Sequence, residues 1–160
     1  MTPIPMNPDP GSHHRLVGRP MEILLVEDSL VDARMTIEAL RRGNIQHRMT
    51  LMRDGAEAMD FLNQEGVFAR APRPDLILLD LLLPKKSGMD VLSEVKSDYS
   101  LKDIPIVILT NSKDEEDRLK CELLHVDSYI TKPVDLPKFL GVVRDLKRFW
   151  LNDVILPATD

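Results

Sequence analysis

The stretch that decides the fold is Leu76-Ile77-Leu78-Leu79-Asp80, in which four apolar residues lead directly into a carboxylate. A run of this length is too short to cross a membrane, and without polar alternation it is typical of a central strand in a parallel sheet covered on both faces. Comparable runs lie at 22–26 and 104–109, and weaker ones lie at 48–52 and 128–131. Amphipathic segments separate all five runs. The alternation predicts an α/β fold, a doubly wound sandwich with a five-stranded parallel sheet and five helices.

The predicted helix starts carry a short oxygen-bearing residue three positions before a carboxylate, which is the spacing of a capping box. These pairs are Ser29 with Asp32, Asp54 with Glu57, Ser87 with Asp90, and Ser112 with Glu115. Asp135 ahead of Pro137 marks the fifth start, because proline is tolerated in a first helical turn. Gly43 is expected to end the first helix in the left-handed conformation.

Apolar residues recur at helical spacing in the first and last helices. The first helix presents Leu30, Ala33, Ile37 and Leu40, and the last presents Phe139, Val142, Val143, Leu146, Phe149 and Trp150. The fourth helix follows a charged run at 113–118 and offers Leu119, Leu123 and Leu124 as clear anchors. We expect this helix to be weakly held and able to shift.

The composition is that of one globular domain, with 160 residues of which 43% are hydrophobic. A net charge of −5 argues against a dedicated nucleic-acid partner. The sequence has neither an apolar run of about eighteen residues nor a secretory signal, so a soluble cytoplasmic protein without membrane contact is expected. Cys121 is interpreted as a small apolar helix residue.

Residues 1–20 are expected to be a flexible, proline-rich leader, 21–150 the folded domain, and 151–160 an apolar tail.

Polar residues stand at the carboxyl ends of four predicted strands, the edge where open parallel sheets gather their functional groups. They are Glu27-Asp28, Asp80, Thr110 and Thr131-Lys132-Pro133. Each has an ordinary alternative, since acids at strand ends are common helix caps and Thr110 could simply end a strand. Their joint occurrence at four ends favours a functional site.

Three neighbouring carboxylates repel one another, and a hard divalent cation bound between them would offset their negative charge. Magnesium fits best, because it joins one or two carboxylates to a phosphate and keeps several waters. Lys132 would supply positive charge for phosphoryl oxygens, and Thr110 would supply a hydroxyl donor. The chain lacks a GxxxxGK[ST] loop, so a nucleoside triphosphate is not the expected donor. Asp80 is therefore expected to accept phosphate as a nucleophile, forming an acyl phosphate.

The order Val26-Glu27-Asp28, Leu79-Asp80-Leu81-Leu82-Leu83-Pro84, Leu109-Thr110 and Tyr129-Ile130-Thr131-Lys132-Pro133 resembles the receiver domain of two-component response regulators. The resemblance covers about 21–149. It implies a flavodoxin-like fold, phosphotransfer from a sensor histidine kinase, and a signalling domain, not an enzyme acting on other substrates, that catalyses its own phosphorylation and dephosphorylation.

The same resemblance assigns individual roles. Asp80 is implied to be the phospho-acceptor, and Asp28, Asp80 and the backbone carbonyl of Leu82 are implied to bind magnesium, with Glu27 helping through water. Lys132 is implied to contact the phosphoryl group. The implied switch consists of the Thr110 hydroxyl and the aromatic side chain of Tyr129. The Lys132-Pro133 peptide bond is implied to be cis.

More narrowly, the stretches at 72–80 and 84–88 and the Phe149-Trp150 pair resemble single-domain regulators that partner phytochrome-type histidine kinases. We expect no output domain after residue 160, so the expected effector is a separate, unidentified protein. Two positions depart from many receivers: Leu82 is apolar where they carry a polar residue, and Asn111 is larger than the small residue often found there.

Two other function classes fit the sequence less well. A phosphatase with an aspartate nucleophile usually has a second acid two positions later, and that position is Leu82 here. A binding module that signals without phosphorylation would lack one of the key residues, and all are present.

The apolar residues near the C-terminus exceed what one amphipathic helix can bury against one sheet. Phe149, Trp150, Val154, Ile155 and Leu156 are therefore expected to form a homodimer interface with the fourth helix, fifth strand and fifth helix. The alternative is a tail that folds back over its own domain.

Overall fold

The sheet has the predicted five parallel strands. A computed structural model describes residues 19–146. The strands are β1 (Met21–Val26), β2 (His47–Met52), β3 (Leu76–Leu79), β4 (Ile106–Thr110) and β5 (Ser128–Thr131). They lie in the order β2-β1-β3-β4-β5. The order reverses between β1 and β3, so the carboxyl ends of these two strands flank the crevice where open α/β sheets bind ligands.

In the described part of the chain, five α-helices and one short 3-10 helix follow the strands in turn, which confirms the predicted doubly wound architecture. They are α1 (Leu30–Arg42), α2 (Gly55–Leu62), a 3-10 helix (Gly66–Phe68), α3 (Gly88–Ser97), α4 (Glu115–Leu123) and α5 (Leu136–Asp145). Within residues 19–146, no helix is long and apolar enough to span a bilayer.

The core has two halves, one on each face of the sheet. Every residue of β3 and β4 is buried, as expected for central strands. Alternate strand residues supply the two halves: Ile23 and Leu25 of β1 pack with α1 and α5, whereas Leu24 and Val26 pack with α2 and α3. The site at the strand ends is therefore held by a sheet that is fixed from both sides.

Four of the five predicted helix starts are confirmed. Ser29, Asp54, Ser87 and Asp135 each accept a backbone N–H in the first turn of their helix. The prediction for α4 was wrong, because Asp114 and not Ser112 is the N-cap and accepts the Glu116 N–H. The Ser112 hydroxyl instead donates to Asp117 Oδ2 over 2.9 Å, so it is engaged inside the helix it was expected to cap.

Gly43 ends α1 as predicted, but its expected left-handed conformation was wrong. Gly43 follows α1 with φ −79°, and the left-handed residue is its neighbour Asn44, with φ 57°. Asparagine tolerates this conformation better than most residues with a side chain, so either neighbour could have taken it.

Two predicted apolar faces need correction. On α1, Ala33 and Leu40 are buried as expected, but Leu30 and Ile37 are exposed and Thr36 takes the inward position. On α4, Cys121 is the buried residue, whereas Leu119 and Leu123 are exposed. Burial raises the pKa of the Cys121 thiol to about 11, with the Asp117 charge adding to the effect, which fits the interpretation of Cys121 as an apolar residue.

Several predictions concern segments outside the described residues. These are the leader up to residue 18, the tail at 151–160, and the interface residues Phe149, Trp150, Val154, Ile155 and Leu156. The described part begins with Arg19, whose guanidinium forms a bidentate ion pair with Asp75 at 2.6 and 2.7 Å. Asp75 also accepts the Glu22 N–H, so the chain is fastened to the sheet just before β1.

Candidate phosphoryl and metal site

The strand ends bring together the acidic residues that the sequence singled out. Glu27 and Asp28 follow β1, and Asp80 follows β3, on either side of the crevice. One carboxylate oxygen from each lies within 4.8 Å of the others. Lys132 follows β5 and reaches the same point. The sheet order therefore places one cation and three acids from distant parts of the chain in a single cluster.

Asp80 is buried and held on both carboxylate oxygens. Its side chain is 6% exposed. Oδ1 accepts the Leu82 N–H over 3.2 Å, and Oδ2 accepts from Lys132 Nζ over 3.0 Å. Its backbone N–H donates to the Val26 carbonyl, which fixes the residue against β1. The carboxylate is thus oriented before any ligand arrives.

Gly88 allows the backbone to pass close behind Asp80. A Cβ at position 88 would collide with the Asp80 carbonyl oxygen and lie 2.5 Å from the Leu81 Cα. The Gly88 N–H also donates to the Leu81 carbonyl over 2.9 Å. The start of α3 is therefore packed directly on the backbone that carries Asp80, which gives the Ser87-Gly88 sequence a structural reason.

Lys132 donates to three carboxylates. Nζ lies 2.9 Å from Asp32 Oδ2 and 3.0 Å from Asp80 Oδ2, and it forms a close ion pair with Glu27. Burial alone would lower the pKa of Lys132, but these hydrogen bonds outweigh burial and raise it above its ordinary value. Lys132 is therefore held as a cation. Its bond to Pro133 is cis, as the resemblance implied.

Glu27 is the most deeply buried acid of the cluster, at 2% exposure. Burial and the charge of Asp80 raise its pKa to about 7, although hydrogen bonds from Lys132 and the Ser29 N–H act in the opposite direction. Lys132 alone therefore does not neutralise the cluster, and a second cation would relieve the remaining repulsion.

Asp28 stands at the open side of the cluster. Its side chain is exposed, and its backbone carbonyl accepts from the Arg53 guanidinium over 2.7 Å. The oxygens of Asp28, Glu27 and Asp80 form a donor set of the kind that hard divalent cations prefer. The residues present thus fit a divalent metal, and the exposed Asp28 side of the site is open to water.

Thr110 and Tyr129 both contact the backbone of Ser112. The Ser112 N–H donates to Thr110 Oγ1 over 3.2 Å, and the Ser112 carbonyl accepts from the Tyr129 hydroxyl over 3.1 Å. Thr110 is fully buried, and Tyr129 is half-buried below the guanidinium of Arg118. Burial raises the pKa of Tyr129, so its hydroxyl remains a donor. The two residues are coupled through the loop that leads into α4.

The Leu82 side chain points away from the packed interior and is 60% exposed. The Leu82 N–H donates to Asp80 Oδ1, and Leu82 is the first exposed residue after Asp80. An apolar group therefore lies beside the acidic cluster, where many receivers have a polar one.

Sequence reasoning missed Asp32 and Arg53. Asp32 lies in the first turn of the helix that begins directly after Glu27-Asp28, so its closeness to the strand end could have been recognised. Its spacing from Ser29 indicated a capping box, and this assignment left no reason to expect its contact with Lys132. Arg53 follows β2, and its contact with Asp28 is made through a backbone carbonyl, which leaves no residue pattern to recognise.

A family model for the response regulator receiver domain matches residues 23–144. The chain is 48% identical over 139 residues to the response regulator Rcp1 of Synechocystis sp., covering 87% of this chain and 95% of that protein. It is 38% identical over 134 residues to a probable methanogenesis regulatory protein, FilR2, of Methanothrix harundinacea, with coverage of 83% and 85%.

Solved structures agree with these sequence matches. The phosphorylated cyanobacterial phytochrome response regulator RcpA matches with 47% identity and a TM-score of 0.70, covering 87% of this chain and 99% of that one. The Mn²⁺-bound form of Rcp1 matches with the same identity and TM-score, covering 87% and 100%. The family match over most of the described residues, together with these relatives, shows that the chain belongs to the response regulator receiver-domain family.

Proposed function

We propose that this receiver accepts a phosphoryl group on Asp80 in a magnesium-dependent reaction. The observation that carries the proposal is the Asp80 carboxylate itself. It is buried, oriented by the Leu82 N–H and Lys132, and within 4.8 Å of oxygens from Glu27 and Asp28. These are the groups needed for an acceptor, a phosphoryl contact and a metal.

In the proposed step, an Asp80 carboxylate oxygen attacks the phosphorus of a phosphohistidine. The new P–O bond forms as the P–N bond breaks, and the leaving imidazole takes a proton to become neutral histidine. Lys132 remains charged and stabilises the phosphoryl oxygens. Magnesium held by Asp28 and Asp80, with the Leu82 carbonyl and with Glu27 through water, would offset the charge on those oxygens.

The phosphorylated state would end by hydrolysis at the same site. Water attacks the phosphorus, the acyl P–O bond breaks, and inorganic phosphate and the Asp80 carboxylate are released. The exposed Leu82 side chain neither orients nor deprotonates that water. We therefore expect dephosphorylation to be slow. In this proposal the domain promotes both its own phosphorylation and its own dephosphorylation.

The proposed donor is a phytochrome-type sensor histidine kinase. Support comes from the similarity to a cyanobacterial phytochrome response regulator and to a second group of bacteriophytochrome response regulators, of which AtBRR is 38% identical with a TM-score of 0.74. A purified kinase of this type, labelled on its histidine, should transfer its label to this chain and not to Asp80→Asn.

The proposed output is a change in a protein-binding surface. A phosphoryl group beside Thr110 would attract its hydroxyl, and the Ser112 backbone links that hydroxyl to Tyr129 and to the start of α4. Leu119 and Leu123 are exposed on α4, where a partner protein or a second copy could cover them.

We also propose that the chain forms a homodimer through α4, β5, α5 and the C-terminal residues. Combined Phe149→Ala and Trp150→Ala should give monomers in sedimentation runs. A wild-type protein that sediments as a monomer at high concentration, with and without phosphorylation, would contradict this.

The direct test of the acceptor is labelling with acetyl phosphate and Mg²⁺, followed by mass spectrometry. The wild type should carry one hydroxylamine-labile phosphoryl group, and Asp80→Asn should carry none. Asp60→Asn is the matched control, because Asp60 is an exposed acid on α2, and it should label normally. Chelator and Asp28→Ala should both abolish labelling. Equal labelling of Asp80→Asn would refute the assignment.

A further inference from the structure

The Asp32 carboxylate does not make the helix-capping hydrogen bond that its position in α1 suggests. Its backbone N–H donates to the Ser29 hydroxyl over 3.2 Å, which is the first half of a capping box. In the second half, the carboxylate would accept the Ser29 N–H. That N–H donates instead to Glu27 Oε2, and the Asp32 carboxylate contacts Lys132 at 2.9 Å. Its side chain therefore serves the phosphoryl site and not the helix end.

The three hydrogen atoms of the Lys132 ammonium match the three carboxylates around it. A phosphoryl group on Asp80 can receive a hydrogen bond from Lys132 when one of these partners gives way. Glu27 is 2% exposed, whereas the Asp32 side chain is 26% exposed and can be solvated once released. Asp32 is thus the partner whose release costs least.

Asp32 also lies close to Asp80, at the edge of an open cavity. Together with Lys132, Asn111 and Pro133, it lines an open cavity of about 280 Å³. Its Oδ2 and the Asp80 Oδ2 contact the same nitrogen, so these oxygens are at most about 6 Å apart. A phosphodonor carrying negative charge is therefore repelled by Asp32 as it nears Asp80.

Resting on the proposed phosphorylation of Asp80, we propose that Asp32 is a positioning residue that holds Lys132 and yields it to the phosphoryl group. Its charge then sets how tightly the phosphodonor binds and how long the phosphorylated state lasts. Removing the charge weakens the competition for Lys132 and the repulsion of the donor. Asp32 is partly exposed, so an effective dielectric constant of about 40, between the values for a protein surface and for water, applies to unit charges about 6 Å apart and makes the effect roughly tenfold in binding.

The test compares Asp32→Asn, which removes the charge, with Asp32→Glu, which keeps it. Asp90→Asn is the matched control, since Asp90 occupies the equivalent position of α3, where its N–H donates to Ser87 Oγ over 3.1 Å. Labelling rates at varied acetyl phosphate with saturating Mg²⁺ give KM and kcat. The loss of label after donor removal gives the lifetime, and ¹⁵N spectra of the Lys132 ammonium report its contacts without phosphorylation.

Asp32→Asn should lower KM for acetyl phosphate roughly tenfold, with a much smaller change in kcat, and should prolong the label several-fold. It should also shift the Lys132 ammonium resonance. Asp32→Glu should restore values near the wild type, and Asp90→Asn should change none of them. A general structural role would not produce this KM effect or its rescue.

Two failures are distinguishable. If the wild type labels normally and Asp32→Asn matches it in KM and lifetime, this inference is wrong and the proposed function stands. If the wild type takes no label with acetyl phosphate or a histidine kinase, the proposed function is wrong, and the inference falls with it. An unchanged Lys132 resonance in Asp32→Asn would independently refute the contact.

Discussion

Replacing Lys132 with methionine is the most informative perturbation of the acidic cluster. Methionine has similar length and no charge, so the variant keeps much of the packing but leaves Glu27 and Asp80 buried without their cation. Their side chains are 2% and 6% exposed, which gives water little access to either. The variant should therefore be clearly less stable than the wild type in metal-free buffer.

The magnitude follows from the burial of the pairs. Removing one partner of a buried ion pair costs about 3–5 kcal/mol, and the lower part of that range applies here because Glu27 can take up a proton. We expect a loss of about 3 kcal/mol at pH 8, a large share of the roughly 5–15 kcal/mol of a typical domain. Lys120→Met, which removes the exposed Lys120–Glu116 pair on α4, should cost less than about 0.5 kcal/mol.

The pH dependence tests the cause. In the folded protein the pKa of Glu27 is raised from 4.5 to about 7. The stability that Glu27 contributes to folding is therefore fully present below about pH 4.5 and is lost as the pH rises through about 7. Without Lys132, whose hydrogen bond lowers that pKa, the loss extends to higher pH. The stability difference between wild type and Lys132→Met should therefore grow from pH 5 to pH 8.

Urea unfolding in chelator at pH 5, 6, 7 and 8 measures this difference. Adding Glu27→Gln to Lys132→Met should recover part of the loss at pH 8, because one uncompensated charge is removed. A difference that does not change with pH, or a Lys132→Met variant as stable as the wild type at pH 8, would refute the electrostatic account of the cluster.

Three further predictions concern single positions. Gly88→Ala should lower stability by about 1–3 kcal/mol in urea unfolding and slow phosphorylation in the same labelling assay, because its Cβ collides with the Asp80 carbonyl; normal labelling would contradict this. Leu82→Asn should speed loss of the phosphoryl label about tenfold, measured after donor removal, because an amide can orient the attacking water; an unchanged rate would show that Leu82 does not control hydrolysis. Cys121, with its pKa raised to about 11, should react slowly with maleimide at pH 8 and faster as the pH rises or urea is added, and fast labelling of the folded protein would argue against its burial.

The features predicted from the sequence are those that short-range rules determine. The uninterrupted apolar runs at 76–79 and 106–109 can be buried on both faces only in central strands. Their central position in the sheet could therefore be predicted from their composition. The gathering of Glu27, Asp80 and Lys132 followed in turn, because parallel strands end at the same edge.

Two of the wrong predictions concern residues close in sequence that could take the same structural role. Gly43 and Asn44 both accept left-handed geometry, and Ser112 and Asp114 can both cap α4. The rotation of α1 that buries Thr36 in place of Ile37 depends on how the helix packs on the sheet, which local spacing does not determine. These choices are made by tertiary contacts.

The alternation of side chains along β1 has a consequence for the two acids that follow it. Ile23 and Leu25 face α1 and α5, while Leu24 and Val26 face the other layer. Beyond the strand, Glu27 is buried against Lys132, whereas Asp28 is exposed at the rim. The order of Glu27 and Asp28 thus determines which of the two carboxylates is buried and which is exposed. Exchanging the two acids, by Glu27→Asp together with Asp28→Glu, would keep the charge, but the buried carboxylate would be one methylene shorter and the outer one longer. Both the reach to Lys132 and the width of the metal site would then change, although no charge had been added or removed.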